Sequence, residues 1–191
     1  MTRDGFLIGG AVLGLTSCAR APTDARAGTT VGGLGGLVGH SVPSFTVPLL
    51  AGGSGSLYGY RDHAVLANLW ATWCPPCRHE MPALERLYRT YRAQGFLVVG
   101  IDQGENDARV AAFVKKVGVT YPILMDHDQQ YGQAFQALGL PTSVFIGRDG
   151  SVATTFDGEL PFEVMEKNTK LVLRTNAQSP AVGPSAPRSS P

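Results

Sequence analysis

Cysteine is scarce in this 191-residue chain, and the three present (Cys18, Cys74 and Cys77) make an odd number. In an exported protein an odd count calls for a close pair plus one cysteine with another fate. Charge of either sign is also missing as a bias. The 16 basic and 15 acidic residues leave a net charge of +1, and no basic run interleaves with aromatics. Nucleic acid is thereby excluded as an expected partner. A long apolar run is absent too: residues 5–15, GFLIGGAVLGL, fall short of the roughly 20 apolar residues that a membrane-spanning helix needs. There is no internal repeat and no second CxxC pair, and Arg78 follows Cys77 where covalent haem attachment wants a histidine.

What is present divides into four parts. Residues 1–18 read as a secretory signal, with an apolar core suited to export, although Asp4 follows Arg3 at once. The stretch Leu15-Thr16-Ser17-Cys18 resembles a bacterial lipoprotein box, in which the cysteine takes a diacylglycerol thioether and becomes the mature N-terminus. That fate would account for Cys18 and anchor the chain to a membrane. The rival is simple cleavage after Ala21 or Ala27, each ending a small-x-small triplet. Residues 19–39, rich in Ala, Thr and Gly, read as a flexible tether, and residues 176–191, rich in Pro and Ser, as a disordered tail. The folded domain is expected over residues 40–175. The chain is expected to be exported, on the extracytoplasmic face of a bacterial membrane, and monomeric.

Within that domain, residues 64–70 (AVLANLW) form a continuous apolar run of strand length, the kind buried on both faces. Residues 75–94 carry Met81, Leu84, Leu87, Tyr88 and Tyr91 at helical spacing, and Gly95 stops that helix. A second buried strand is expected over 96–101, a helix over 107–117, a short strand over 121–125 and a short helix over 129–138. A third clear strand, 142–146, turns at Arg148-Asp149-Gly150 into its return at 151–156, and a closing helix runs over 160–174. This order predicts an α/β fold with a mixed central sheet.

The segment WATWCPPCRHE, residues 70–80, carries the chemistry. Structural zinc wants four ligands, commonly two pairs, and the folded part supplies one pair with His79 poorly placed beside it. No metal is therefore expected. A purely structural disulfide remains open in an oxidising compartment, but so short a loop gives little entropic stabilisation. Reversible exchange fits best. The pair follows a buried strand and opens a helix, so Cys74 sits where free N–H groups and the positive end of the helix dipole favour a thiolate. Pro75 and Pro76 lack N–H groups where helical donors are orphaned anyway, and they stiffen the loop. Cys77, a turn deeper, should be more buried and less reactive. The expected redox group is thus the Cys74–Cys77 pair itself, with no separate cofactor.

WATWCPPCRHEMPAL resembles the active-site segment of thioredoxin-fold proteins, in particular the TlpA/ResA-like exported thiol–disulfide oxidoreductases. Gly139-Leu140-Pro141-Thr142 is similar to that family's cis-proline loop, and GFLVVG (95–100) and FIGRDG (145–150) to its other landmarks. The likeness runs over residues 40–174. It implies a thioredoxin-like three-layer α/β/α fold. It also implies that Cys74 attacks, that Cys77 resolves, that Pro141 is cis, and that the Leu140 backbone and the rim residue Trp73 receive substrate. Where cytoplasmic thioredoxins keep a buried aspartate, this chain has Asn68, and the resemblance assigns proton handling to Glu80, three residues past Cys77.

The implied function is reduction of cysteine-containing protein substrates outside the cytoplasm, with apocytochrome c as one candidate and a membrane electron donor to restore the dithiol. Two alternatives are a copper-handling or metal-binding module and a peroxide-reducing relative. The first would space its cysteines more widely, and the second would want Thr-x-x-Cys where this chain has Thr72-Trp73-Cys74. Trp70, Met81 and Met125 are expected in the core, and His40, His63, His79 and His127 on the surface. Asp126 and Asp128 flank a turn, with too few oxygen ligands in sequence for a calcium loop.

Overall fold

A computed structural model describes residues 35–175. The signal, Cys18, most of the tether and the tail lie outside the described residues. The elements run β1 (Val47–Pro48), β2 (Ser54–Gly55), β3 (Ala64–Trp70), α1 (Pro75–Tyr91), β4 (Phe96–Gln103), α2 (Asp107–Val117) and β5 (Ile123–Asp126). They continue with α3 (Gln130–Ala134), β6 (Thr142–Ile146), β7 (Val152–Asp157) and α4 (Phe162–Thr175).

Five strands form one sheet in the order β5-β4-β3-β6-β7. Strands β3, β4 and β5 are parallel, and β6 and β7 are antiparallel additions. The steps from β3 to β4 and from β4 to β5 go the same way across the sheet. Right-handed crossovers then put α1 and α2 on one face.

Every residue of β3 is buried, and the alternation of a strand sorts them. Ala64, Leu66 and Trp70 enter a core with Met81, Leu84 and Leu87 of α1, Val110 of α2 and Met165 and Val172 of α4. Val65, Ala67 and Leu69 enter a second core with Val42, Val47, Leu57, Tyr131 and Phe135. Asn68 falls on the α1 face between Leu66 and Trp70, which decides its role below.

The layer over the second face is thin. It consists of the five-residue α3, the β1–β2 hairpin and the chain leading into it. Tyr131 stitches it together: its hydroxyl accepts the Leu57 N–H at 3.0 Å and donates to the Phe45 carbonyl at 2.6 Å. The result is a thioredoxin-like α/β/α fold with a mixed sheet, as the sequence predicts.

Several boundaries differ from expectation. The folded unit begins before residue 40: Gly35–Leu37 makes a 3-10 turn, and Gly39 N–H donates to the Val152 carbonyl at 2.8 Å. A glycine-rich stretch has low propensity for order, yet here backbone hydrogen bonds to the sheet edge hold it. The β1–β2 hairpin is an addition to the elements expected from the sequence, since two-residue strands carry no periodic pattern. Helix α3 is shorter than residues 129–138, because Gln136 takes a left-handed φ of 51° and breaks the run. Gly100 faces Asn68 across the β3–β4 ladder, and a Cβ there would lie 2.6 Å from Ile123 Cδ1. That glycine therefore serves close packing in the middle of a strand.

Candidate active site

Helix α1 starts at the sheet's C-terminal edge, directly after β3, and Cys74 is its N-cap. The Cys74 Sγ accepts the Cys77 N–H at 3.3 Å, so sulfur occupies the place that a serine or aspartate oxygen takes in ordinary caps. Pro75 and Pro76 fill the first helical positions. Cys74 and Cys77 are joined in a disulfide with their Cα atoms 5.3 Å apart. Both are buried, Cys77 completely, and Trp73 beside them is 63% exposed. Of the two cysteines only Cys74 keeps any exposure, and exposed Trp73 directly precedes it in the chain.

The Leu140–Pro141 bond is cis. The Pro141 carbonyl accepts the Gly158 N–H at 2.7 Å, and the Thr142 hydroxyl lies 2.8 Å from both the Gly139 carbonyl and Asp157 Oδ1. These bonds tie the proline loop to the end of β7. Leu140 and Trp73 line one groove of about 360 Å³, together with exposed Leu138 and with Gln103, Gln129 and Gln133.

Glu80 is only 2% exposed, so it is no helix-surface carboxylate. It lies one turn past Cys77 on the face of α1 that meets the sheet. Its Oε1 accepts from Asn68 Nδ2 at 2.7 Å, and its Oε2 accepts the Leu160 N–H at 3.2 Å. Asn68 Nδ2 also donates to Ser143 Oγ at 3.2 Å. Burial raises the Glu80 carboxyl to about 7, against the opposing pull of the Leu160 and Asn68 hydrogen bonds. Asn68, itself without an ionisable group, thus acts as a donor that holds a titratable one. His79 lies on the outer side of α1, 85% exposed and 3.5 Å from Glu159.

Besides Glu80, the site holds a buried carboxylate pair that is not among the residues expected from the sequence. Asp102, at the end of β4, is fully buried, and Glu105 is 8% exposed. The Glu105 carboxylate accepts both the backbone N–H and the hydroxyl of Thr72, within WATWC. Asp102 Oδ1 accepts the Glu105 N–H at 2.8 Å. Burial, reinforced by the neighbouring Glu105 charge, pushes Asp102 up to about 7. The available signal was two acidic residues, DQGE, closing an otherwise apolar strand.

Comparison with known proteins gives concordant matches. The sequence family described as the AhpC/TSA family matches residues 38–155. The thiol-disulfide oxidoreductase ResA of Geobacillus kaustophilus is 33% identical over 135 residues, 71% of this chain and 78% of the relative. The protein of the same name from Halalkalibacterium halodurans is 30% identical over 134 residues, 70% of this chain and 76% of its own length. Among solved structures, a thiol:disulfide interchange protein of the thioredoxin family from Chlorobium tepidum superposes with a TM-score of 0.63 at 30% identity, covering 70% of this chain and 95% of that one.

Proposed function

The chain belongs to the AhpC/TSA family and is a thiol–disulfide oxidoreductase of the thioredoxin fold; on that premise we propose that it reduces disulfides in cysteine-containing proteins outside the cytoplasm. The observation that carries the reductive direction is the buried Glu80 carboxyl one helical turn from Cys77, held by Asn68.

The reaction runs in two displacements. The Cys74 thiolate, stabilised at the N-terminus of α1, attacks one sulfur of the substrate disulfide. That disulfide breaks, the other substrate sulfur leaves as a thiolate, and Cys74 is left in a mixed disulfide. Cys77 gives its proton to Glu80, and its thiolate attacks the Cys74 sulfur. The second substrate thiol is released, and Cys74 and Cys77 close into the disulfide of the present structure. The substrate gains two electrons and the protein loses two, so a membrane electron donor must restore the dithiol. A carboxyl poised near neutral pH suits both halves of the Glu80 role, because it can take a proton during resolution and return it on re-reduction.

Trp73, Leu140 and Pro141 frame the place where an extended substrate segment lies beside Cys74. Apocytochrome c, whose haem-binding cysteines must be reduced, is the substrate we favour, and lipidated Cys18 the anchor. The export-type N-terminus supports placing the protein on the extracytoplasmic face of the membrane. Peroxide reduction is the weaker reading. The Thr72 hydroxyl, which such chemistry would direct at the cysteine, donates to Glu105 instead.

Equilibration of the Cys74–Cys77 pair against defined thiol buffers tests the direction. A reductase should poise towards the thioredoxin end of the known range, about −270 mV. A value towards about −120 mV would make it an oxidant and contradict the proposal.

A further inference from the structure

We propose that Glu105 is a positioning residue for the redox site, clamping the turn that carries Trp73 and Cys74. The proposal uses the thiol–disulfide reading only in taking Cys74 as the reactive thiol. Residues 71–74 form a tight turn, closed by the Cys74 N–H donating to the Ala71 carbonyl at 3.2 Å. Thr72 is the second residue of that turn, so its own N–H points outwards with no partner in the turn or in α1. Glu105 takes it on Oε2 and takes the Thr72 hydroxyl on Oε1 at 2.7 Å. Two donors on one residue meeting two oxygens of one carboxylate fix orientation as well as distance.

The carboxylate is itself held. Its side chain is 6% exposed, and its backbone N–H donates to fully buried Asp102. Gly104, at a φ of 83°, lets the chain reverse between them. Arg109 Nη1, 3.8 Å away and largely exposed, adds little. An ordinary role for an acidic residue here would be to cap α2, but Asn106 already does so, with its Oδ1 accepting the Ala108 N–H at 3.0 Å. The Glu105 carboxylate lies between the two Thr72 donors and the buried Asp102 carboxyl, and through Thr72 it meets the redox loop.

The consequence falls on Cys74. Its sulfur reaches the Cys77 N–H only while the 71–74 turn sets it at the helix N-cap. A looser turn misaligns that donor and raises the energy of the thiolate. Threonine variants test this without changing any charge. Thr72→Val keeps the shape and removes the hydroxyl, stranding a buried Glu105 oxygen, whereas Thr72→Ser keeps both donors.

The measurement is iodoacetamide alkylation of Cys74 in the reduced full-length protein as a function of pH. Thr72→Val should shift the profile upwards and slow alkylation at pH 7 by about tenfold, the effect of one pKa unit. Thr72→Ser should stay within about twofold of wild type, because both hydrogen bonds survive. Glu105→Gln completes a double-mutant cycle. Once Thr72→Val has broken the clamp, the further effect of Glu105→Gln on the alkylation rate should differ from its effect alone, since the two residues share one interaction. Unchanged Thr72→Val alkylation, equal effects of Thr72→Ser and Thr72→Val, or strictly additive effects would overturn the proposal. A wild-type protein that alkylates normally but reduces no disulfide would sink the functional reading and leave the clamp standing.

Discussion

Replacing Glu80 by glutamine separates the burial of a carboxyl from the burial of its shape. Glu80 has a folded-state pKa raised from 4.5 to about 7. The folded protein therefore binds this proton more tightly than the unfolded chain does. The stabilisation that this gives is fully present below about pH 4.5 and is lost as pH rises through about 7. A shift of that size corresponds to on the order of 3 kcal/mol. Glutamine does not titrate and should lack this dependence. It has one acceptor oxygen where Glu80 offers two, to Asn68 and Leu160. One buried donor should lose its partner, at about 1–3 kcal/mol. Glu80→Gln should thus be less stable than wild type at pH 5, and the gap should close or reverse by pH 8. Asp102 titrates in both proteins, so its contribution cancels. The assay is urea unfolding of the oxidised proteins at intervals from pH 5 to pH 8, where no thiol titration intrudes. Stability curves that stay parallel across this range would refute the reasoning.

Two further outcomes can be measured, one expected from the structure and one from the sequence. Gly100→Ala should destabilise the domain by about 1–3 kcal/mol through overpacking, since the added methyl meets Ile123 at 2.6 Å and Trp70 Nε1 at 3.0 Å; chemical denaturation reads it, and a neutral result would mean that the β3–β4–β5 face relaxes freely. If Cys18 is lipidated, the full-length protein should partition into detergent and membranes, and Cys18→Ala should release it; a wild-type protein wholly soluble after export would favour plain cleavage after Ala21 or Ala27.

How much of this was legible in the sequence depended on how locally each feature is encoded. The long buried strands and α1 and α2 announce themselves through apolar runs, periodicity and caps. So does the CxxC pair, because a strand before it and a helix after it fix its chemistry. The β1–β2 hairpin does not, being two residues on each side and held by tertiary contacts. The placement of Glu80 was half legible: three-residue spacing put it on the Cys77 face, but its burial against Asn68 follows from strand alternation and sheet order together. Glu105 was hidden for a different reason. Its partner Thr72 lies 33 residues away, brought near only because β3 and β4 are parallel neighbours. No one-dimensional pattern relates the two.

The central claim is that Cys74 attacks and Cys77 resolves. It is tested most directly by incubating reduced Cys74→Ser and Cys77→Ser variants with a disulfide-bonded peptide and mapping the adducts by mass spectrometry. The account predicts that Cys77→Ser stalls as a mixed disulfide through Cys74, while Cys74→Ser forms no adduct. Adduct formation through Cys77 in the Cys74→Ser protein, at a rate matching its counterpart, would contradict it.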